Sequence, residues 1–113
     1  MTVKIPIAGY MQARQDHPFS TIYISTVFHF PFLYSYLVFQ SQKMEILMCF
    51  FGISEKIQIM FSDIISITKR PAIPFGFCIK IELTTNQVYC IYTLSSHTNK
   101  QIIKLLQTHV GDF

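Results

Sequence analysis

The chain has 113 residues, which is enough for one hydrophobic core and predicts a single domain. Hydrophobic residues make up 50% of it and charged residues only 13%, whereas charged residues usually make up about 25%. The formal net charge is +3, and the sequence has no dense basic stripe of the kind found in nucleic-acid-binding proteins. We therefore expect no nucleic acid as partner. A mildly basic chain can still be attracted to anionic lipid head groups.

The first segment, residues 1–19, contains Pro6, Gly9 and Pro18 and shows no sustained hydrophobic period. This composition favours an irregular lead with a short helical turn near Met11–Gln15. The segment carries charged residues and has no long apolar run, so it does not resemble a secretory signal. We therefore expect a cytoplasmic protein.

Short alternating segments separated by turn residues follow, and they predict one β-rich domain over residues 20–113. The pattern indicates seven strands, with a proline-containing loop over Arg70–Phe75. The predicted strands are Ser20–Phe30, Tyr34–Gln40, Lys43–Phe51, Glu55–Phe61, Ile64–Lys69, Gly76–Thr84 and Gln87–Leu94.

The stretch between His17 and Lys43 needs comparison with a membrane span, because only His29 within it could carry a positive charge. A transmembrane helix needs about 20 mostly apolar residues. Serine and threonine residues dilute this run, Pro31 interrupts it, and its β-branched and aromatic residues suit strands. We therefore expect strands here.

The hydrophobic period changes near the C-terminus. Ile102, Leu106 and His109 fall on one face of a helix. Ser95, Ser96 or Thr98 can cap its first turn, and Gly111 is placed to end it. The pattern predicts an amphipathic helix that covers an open sheet face.

Seven strands followed by one capping helix is the plan of a pleckstrin-homology-like domain, a partly open barrel closed by its helix. The order and spacing of short motifs over about Tyr34 to Leu106 resemble the GRAM domain, which belongs to this superfamily. The motifs are Tyr36-Leu-Val-Phe39, Met48-Cys-Phe-Phe-Gly52, Lys56-Ile-Gln-Ile59, the segment Ser62–Lys69, the strand within Ala72–Leu83 and the segment Val88–Ser96.

This resemblance implies a non-catalytic module. GRAM domains occur in myotubularin-type lipid phosphatases, in TBC-type Rab GTPase-activating proteins and in sterol-moving proteins of membrane contact sites. Several of them bind phosphoinositides or phosphatidylserine, and others serve intramolecular or protein contacts. The resemblance therefore implies a peripheral membrane module for anionic lipid. The alternative that it implies is a module that packs against other protein domains of a larger protein.

Two groups of residues are candidates for contact with lipid. Basic side chains would attract phosphates, at about 1 kcal/mol each near an anionic surface, although the pattern favours solvated charges at strand ends. Apolar side chains in the first predicted turn would enter the bilayer interface, although they equally suit the core. The basic candidates are Lys56, Lys69, Arg70 and Lys80. The apolar candidates are Phe30, Phe32 and Leu33.

The sequence contains no motif for catalysis or for a cofactor, such as a Walker loop, G-x-G-x-x-G or G-x-S-x-G. Cys49, Cys78 and Cys90 form no C-x-x-C and have no histidine at zinc spacing. We therefore expect no catalytic residue, no metal and no cofactor. Three cysteines, an odd number, fit a reducing compartment in which they act as small apolar strand residues.

Overall fold

The structure is a computed structural model that describes residues 2–14, 17–25, 33–50, 53–71 and 76–111. Within these ranges the chain forms nine strands, one turn of 3-10 helix at Phe61–Asp63 and one α-helix. The elements are β1 (Val3–Ile7), β2 (Gly9–Arg14), β3 (His17–Ser25), β4 (Leu33–Phe39), β5 (Lys43–Phe50), β6 (Ile53–Met60), β7 (Ile64–Pro71), β8 (Phe77–Leu83), β9 (Gln87–Thr93) and α1 (Ser96–Val110).

The strands pair antiparallel in two sheets. The first sheet has the order β1-β4-β5-β6 and the second has the order β3-β2-β9-β8-β7. Because successive strand residues point to opposite faces, alternate positions of both sheets are buried. They form one apolar cluster that includes Leu37, Ile46 and Ile59 of the first sheet and Ile79, Ile81 and Ile91 of the second.

The N-terminal segment joins the two sheets. β1 pairs with β4 in the first sheet, and β2 pairs with β9 in the second. The chain passes from one sheet to the other at Ala8, whose amide donates to the Tyr92 carbonyl at 2.8 Å. Ile5, Ile7 and Tyr10 on either side of this crossing are buried in the core.

The irregular lead predicted for residues 1–19 is therefore wrong where β1 and β2 lie, and so is the helical turn predicted near Met11, which β2 occupies. Pro6 obscures the apolar alternation of β1. It is tolerated because β1 ends the first sheet, where a missing amide donor breaks no ladder on the open side.

The later strands lie close to their predicted positions, with two differences. Strand β3 begins at His17 rather than Ser20, and the predicted residues 26–30 lie outside the described part of the chain. Arg70 and Pro71 belong to β7 rather than to a loop. Pro71 is accepted there because β7 is the last strand of its sheet.

The predicted amphipathic helix is confirmed. Its N-cap is Ser95, whose hydroxyl accepts from the Thr98 amide at 3.3 Å, and it ends at Gly111, where φ is 99°. A positive φ of this kind favours glycine. Ile102 and Leu106 are fully buried in the core, so the helix covers one opening of the β-structure. Among the residues that the structure describes, no helix has the length and hydropathy to cross a bilayer.

Candidate functional site

The basic pair Lys69 and Arg70 lies at the end of β7, the last strand of the second sheet. Both residues are exposed, and their register partners on β8 are Ile79 and Cys78. Adjacent strand residues point to opposite faces, so the two cations flank the strand end. In the described part of the chain, no acidic side chain pairs with either of them.

Arg70 and Lys80 share the outer face of the second sheet. Lys80 lies opposite Thr68, which is two residues from Arg70 on β7. The Lys80 ammonium also lies 3.6 Å from a carboxylate oxygen of Glu82, and both side chains are partly buried. The charge of Lys80 is therefore partly offset by Glu82, whereas that of Arg70 is not offset by an acid in the described residues.

Lys56 lies apart from these residues, on the first sheet. Its ammonium is 3.6 Å from the carboxylate of Glu45, which is buried. This carboxylate accepts hydrogen bonds from the side-chain amides of Gln40, at 2.8 Å, and Gln58, at 3.0 Å. The hydrogen bond from Gln58 lowers the pKa of Glu45 most, burial opposes this, and Lys56 and Lys43 lower it further. Lys56 is therefore part of a local network around a buried carboxylate.

The predicted apolar turn is only partly described. Phe30 and Phe32 lie outside the described residues. Leu33 begins β4, where its backbone pairs with Phe50. Contact of this turn with a bilayer stays a prediction.

Sequence reasoning missed a pair of thiols on the outer face of the second sheet. Cys78 lies opposite Tyr92 and Cys90 lies opposite Lys80, so the two cysteines are diagonal neighbours on β8 and β9. Both thiols are free, and each residue is only 8% exposed. Alternation places Cys78 on the outer face, but the β8–β9 register is needed to bring Cys90 next to it.

The two thiols differ in acidity because the Cys78 thiol donates a hydrogen bond to the Cys90 sulfur. This bond is the largest cause that lowers the pKa of Cys90 to about 7, against burial, and the cations of Lys80 and Arg70 lower it further. The same bond and burial raise the pKa of Cys78, although the Tyr92 hydroxyl, which donates to its sulfur, opposes this. Cys90 is therefore the more acidic thiol of the pair.

A cleft of about 480 Å³ opens between the 3-10 turn and the C-terminal end of α1. Its wall includes a stacked pair, His109 on Phe61. The exposed apolar residue Met60 and the partly buried Ile64 also line it. The cleft thus combines an aromatic wall with apolar surface that is open to solvent.

Metal-binding geometry is not found in the described ranges, since no three or more His, Cys, Asp or Glu side chains there are grouped closely enough to hold an ion.

Comparisons with known proteins bear on the fold. No family model matches the sequence, and no curated protein matches it. Among solved structures, the chain is similar to the pleckstrin homology domain of USP37, with a TM-score of 0.60, 14% identity and coverage of 95% of both chains. At this identity the similarity shows the fold alone. The expected architecture is confirmed: the chain is mainly β, has one C-terminal helix and adopts a pleckstrin-homology-like fold.

Proposed function

We propose that this chain is a non-catalytic membrane-targeting module that binds anionic lipid, either a phosphoinositide or phosphatidylserine. The observation that carries the proposal is the exposed pair Lys69 and Arg70, which has no acidic partner in the described residues. The pleckstrin-homology-like fold, the net charge of +3 and the resemblance to GRAM domains support it. A peripheral location on cytoplasmic membranes follows from the same proposal.

The four basic candidates contribute unequally to this proposal. Lys69 and Arg70 are exposed and have no acidic partner among the described residues, and an arginine can donate two parallel hydrogen bonds to phosphate. Lys80 extends the positive surface on the Arg70 side but shares its charge with Glu82. Lys56 is the weakest candidate, because it lies on the first sheet, away from the others, and pairs with Glu45 there. Lipid contact therefore centres on the end of β7.

Co-sedimentation with vesicles tests the proposal. The chain should pellet with phosphatidylcholine vesicles that contain phosphatidylserine or a phosphoinositide, and it should not pellet with phosphatidylcholine alone. Each cation contributes about 1 kcal/mol near an anionic surface, so the double variant Lys69→Glu, Arg70→Glu should bind at least roughly thirtyfold more weakly. Separate titrations with the two lipids identify the preferred head group.

A matched control separates a local site from net charge. The double variant Lys100→Glu, Lys104→Glu makes the same change of charge on exposed positions of α1. It should retain most of the binding. Equal loss in both variants, or equal pelleting with neutral vesicles, would contradict a lipid site at the end of β7.

A second candidate function is contact with other protein domains, and the cleft beside α1 favours it. Met60 exposes apolar surface in this cleft, and large apolar side chains at a surface often mark a partner site. Light scattering and dye binding on the isolated chain test this alternative. A monomer that binds no apolar dye would count against it.

A further inference from the structure

Neither lipid binding nor protein binding, as proposed above, involves the thiol pair on β8 and β9. Cys78 and Cys90 are diagonal neighbours across an antiparallel pair, on the same face of the sheet, and both thiols are free. Arg70 and Lys80 lie on the same face of the sheet and place two cations near the Cys90 sulfur. Cations and a thiol donor together stabilise a thiolate.

We propose that Cys90 and Cys78 form a peroxide-sensitive thiol pair, in which Cys90 is oxidised first and Cys78 then closes a disulfide with it. The proposal rests on the diagonal placement of the two cysteines on one face of the sheet and on the two cations, Arg70 and Lys80, that lie on that face. The acidity of Cys90 supports this order, because the thiolate is the nucleophilic form and the pKa of Cys90 is lowered to about 7.

The reaction is a two-electron oxidation by a hydroperoxide. The Cys90 thiolate attacks one peroxide oxygen, so that an S–O bond forms and the O–O bond breaks. The leaving hydroxide takes up a proton to become water, or, from an organic hydroperoxide, the leaving alkoxide becomes an alcohol. The Cys78 sulfur then attacks the Cys90 sulfenic acid. An S–S bond forms, the S–O bond breaks, and the hydroxide leaves as water with the proton from Cys78. Two thiols are oxidised and one peroxide is reduced.

The placement of the pair also predicts that the disulfide is easily reduced. Diagonal neighbours on adjacent antiparallel strands have Cα atoms about 7–8 Å apart. Disulfides usually join Cα atoms about 4.4–6.8 Å apart, and larger separations strain the bond. Closing the bond therefore requires the backbone of β8 and β9 to move, and a strained disulfide is reduced more readily by small thiols.

Peptide mapping of the full chain tests the proposal directly. Trypsin cleavage after Lys80 separates the two cysteines, and Cys49 falls on a third peptide, residues 44–56. After treatment with hydrogen peroxide, the peptides 70–80 and 81–100 should be linked with the loss of two hydrogen atoms, and dithiothreitol should release them. In Cys78→Ser, dimedone should label Cys90 as the sulfenic acid.

The charge variants give a readout that does not require removing a buried thiol. Arg70→Gln should slow the oxidation of Cys90 several-fold, whereas Lys104→Gln on α1 should leave the rate unchanged. Oxidation that is equal at Cys49 and Cys90, or peroxide-treated protein without the linked peptides, would overturn the proposal. None of these measurements depends on lipid, so this proposal and the proposed function can fail separately.

Discussion

The imidazole of His109 lies flat on the ring of Phe61, with centroids 4.4 Å apart and planes 6° from parallel. Phe39 lies beside this pair, with its ring nearly parallel to both and its centroid 6.3 Å from each. Phe61 belongs to the 3-10 turn between the two sheets, and His109 lies in the last turn of α1. This stack therefore fastens the C-terminal end of the helix to the connection between the sheets.

Removing the imidazole should loosen the end of the helix. We expect His109→Ala to lower the free energy of unfolding by about 1–2 kcal/mol, since a stacked ring pair contributes about 0.5–1.5 kcal/mol beyond the area it buries. His109→Phe should recover most of this loss. Urea denaturation measures both, with Gln101→Ala at an exposed helix position as the control. Equal stability of His109→Ala and the control would show that the stack contributes little.

Glu45 should stabilise the first sheet as a carboxylate. It accepts hydrogen bonds from Gln40 and Gln58 in a buried position, so Glu45→Ala leaves both amide donors without this acceptor. We expect a loss of about 1–3 kcal/mol at pH 7, the usual range for such a deletion. Gln107→Ala on α1 is a suitable control, and chemical denaturation is the measurement.

The same residue should make stability depend on pH. Folding lowers the pKa of Glu45 below its usual 4.5, mainly through the Gln58 hydrogen bond. The folded state therefore holds the proton less tightly than the unfolded state. The stabilisation that ionised Glu45 gives to the folded state is complete above the pKa that this residue has in the unfolded state. It is lost as pH falls through the pKa of the folded state. Denaturation curves between pH 7 and pH 3 should converge for the native chain and Glu45→Gln, and curves that stay parallel would contradict this.

The N-terminal strands should be needed for folding, although the sequence pattern places the domain boundary at residue 20. Ile5 is 1% exposed, so Ile5→Ala should cost about 2–5 kcal/mol through lost transfer energy and the remaining cavity. Thr2→Ala at an exposed position should change stability by less than about 0.5 kcal/mol. Residues 20–113 expressed alone should lack a cooperative thermal transition in circular dichroism, and a sharp transition would contradict this.

Alkylation should report the acidity of Cys90. Because its pKa is lowered to about 7, reaction with iodoacetamide should rise with pH and be half-maximal near that value. Cys78 should not react in this range, because its pKa is raised. Peptide mapping after short labelling times measures each thiol separately. A midpoint for Cys90 at the ordinary thiol value of 9.0 would contradict the role of its neighbours.

The groups around Cys90 determine the direction of any shift. Strand β8 contributes Cys78 and the pair Lys80–Glu82, and β7 contributes Arg70. On β2 the register partner of Cys90 is Met11, whose side chain does not titrate. Arg70→Gln removes a cation and should move the alkylation midpoint to higher pH.

The sequence predicts the strands from β4 onward because their apolar alternation is regular and their turns contain glycine, proline or polar residues. It also predicts α1, where a 3.6-residue period, a serine cap and Gly111 agree. It does not predict β1, because one short strand with Pro6 gives too weak an alternation. Its place in the first sheet depends on long-range pairing with β4.

The site is less predictable than the fold. Lys69 and Arg70 stand out in the sequence as an adjacent pair. That Lys56 is held by Glu45 depends on the pairing of β5 with β6. The Cys78–Cys90 contact depends on the β8–β9 register, which a local pattern does not contain.

The crossing at Ala8 has a consequence for how the molecule comes apart. A single backbone segment supplies hydrogen bonds to β4 on one side and to β9 on the other. The two sheets therefore cannot separate unless this shared segment loses its hydrogen bonds to β4 or to β9. Amide protons of β4 and β9 should therefore exchange with solvent through one common opening, as expected for a single cooperative unit.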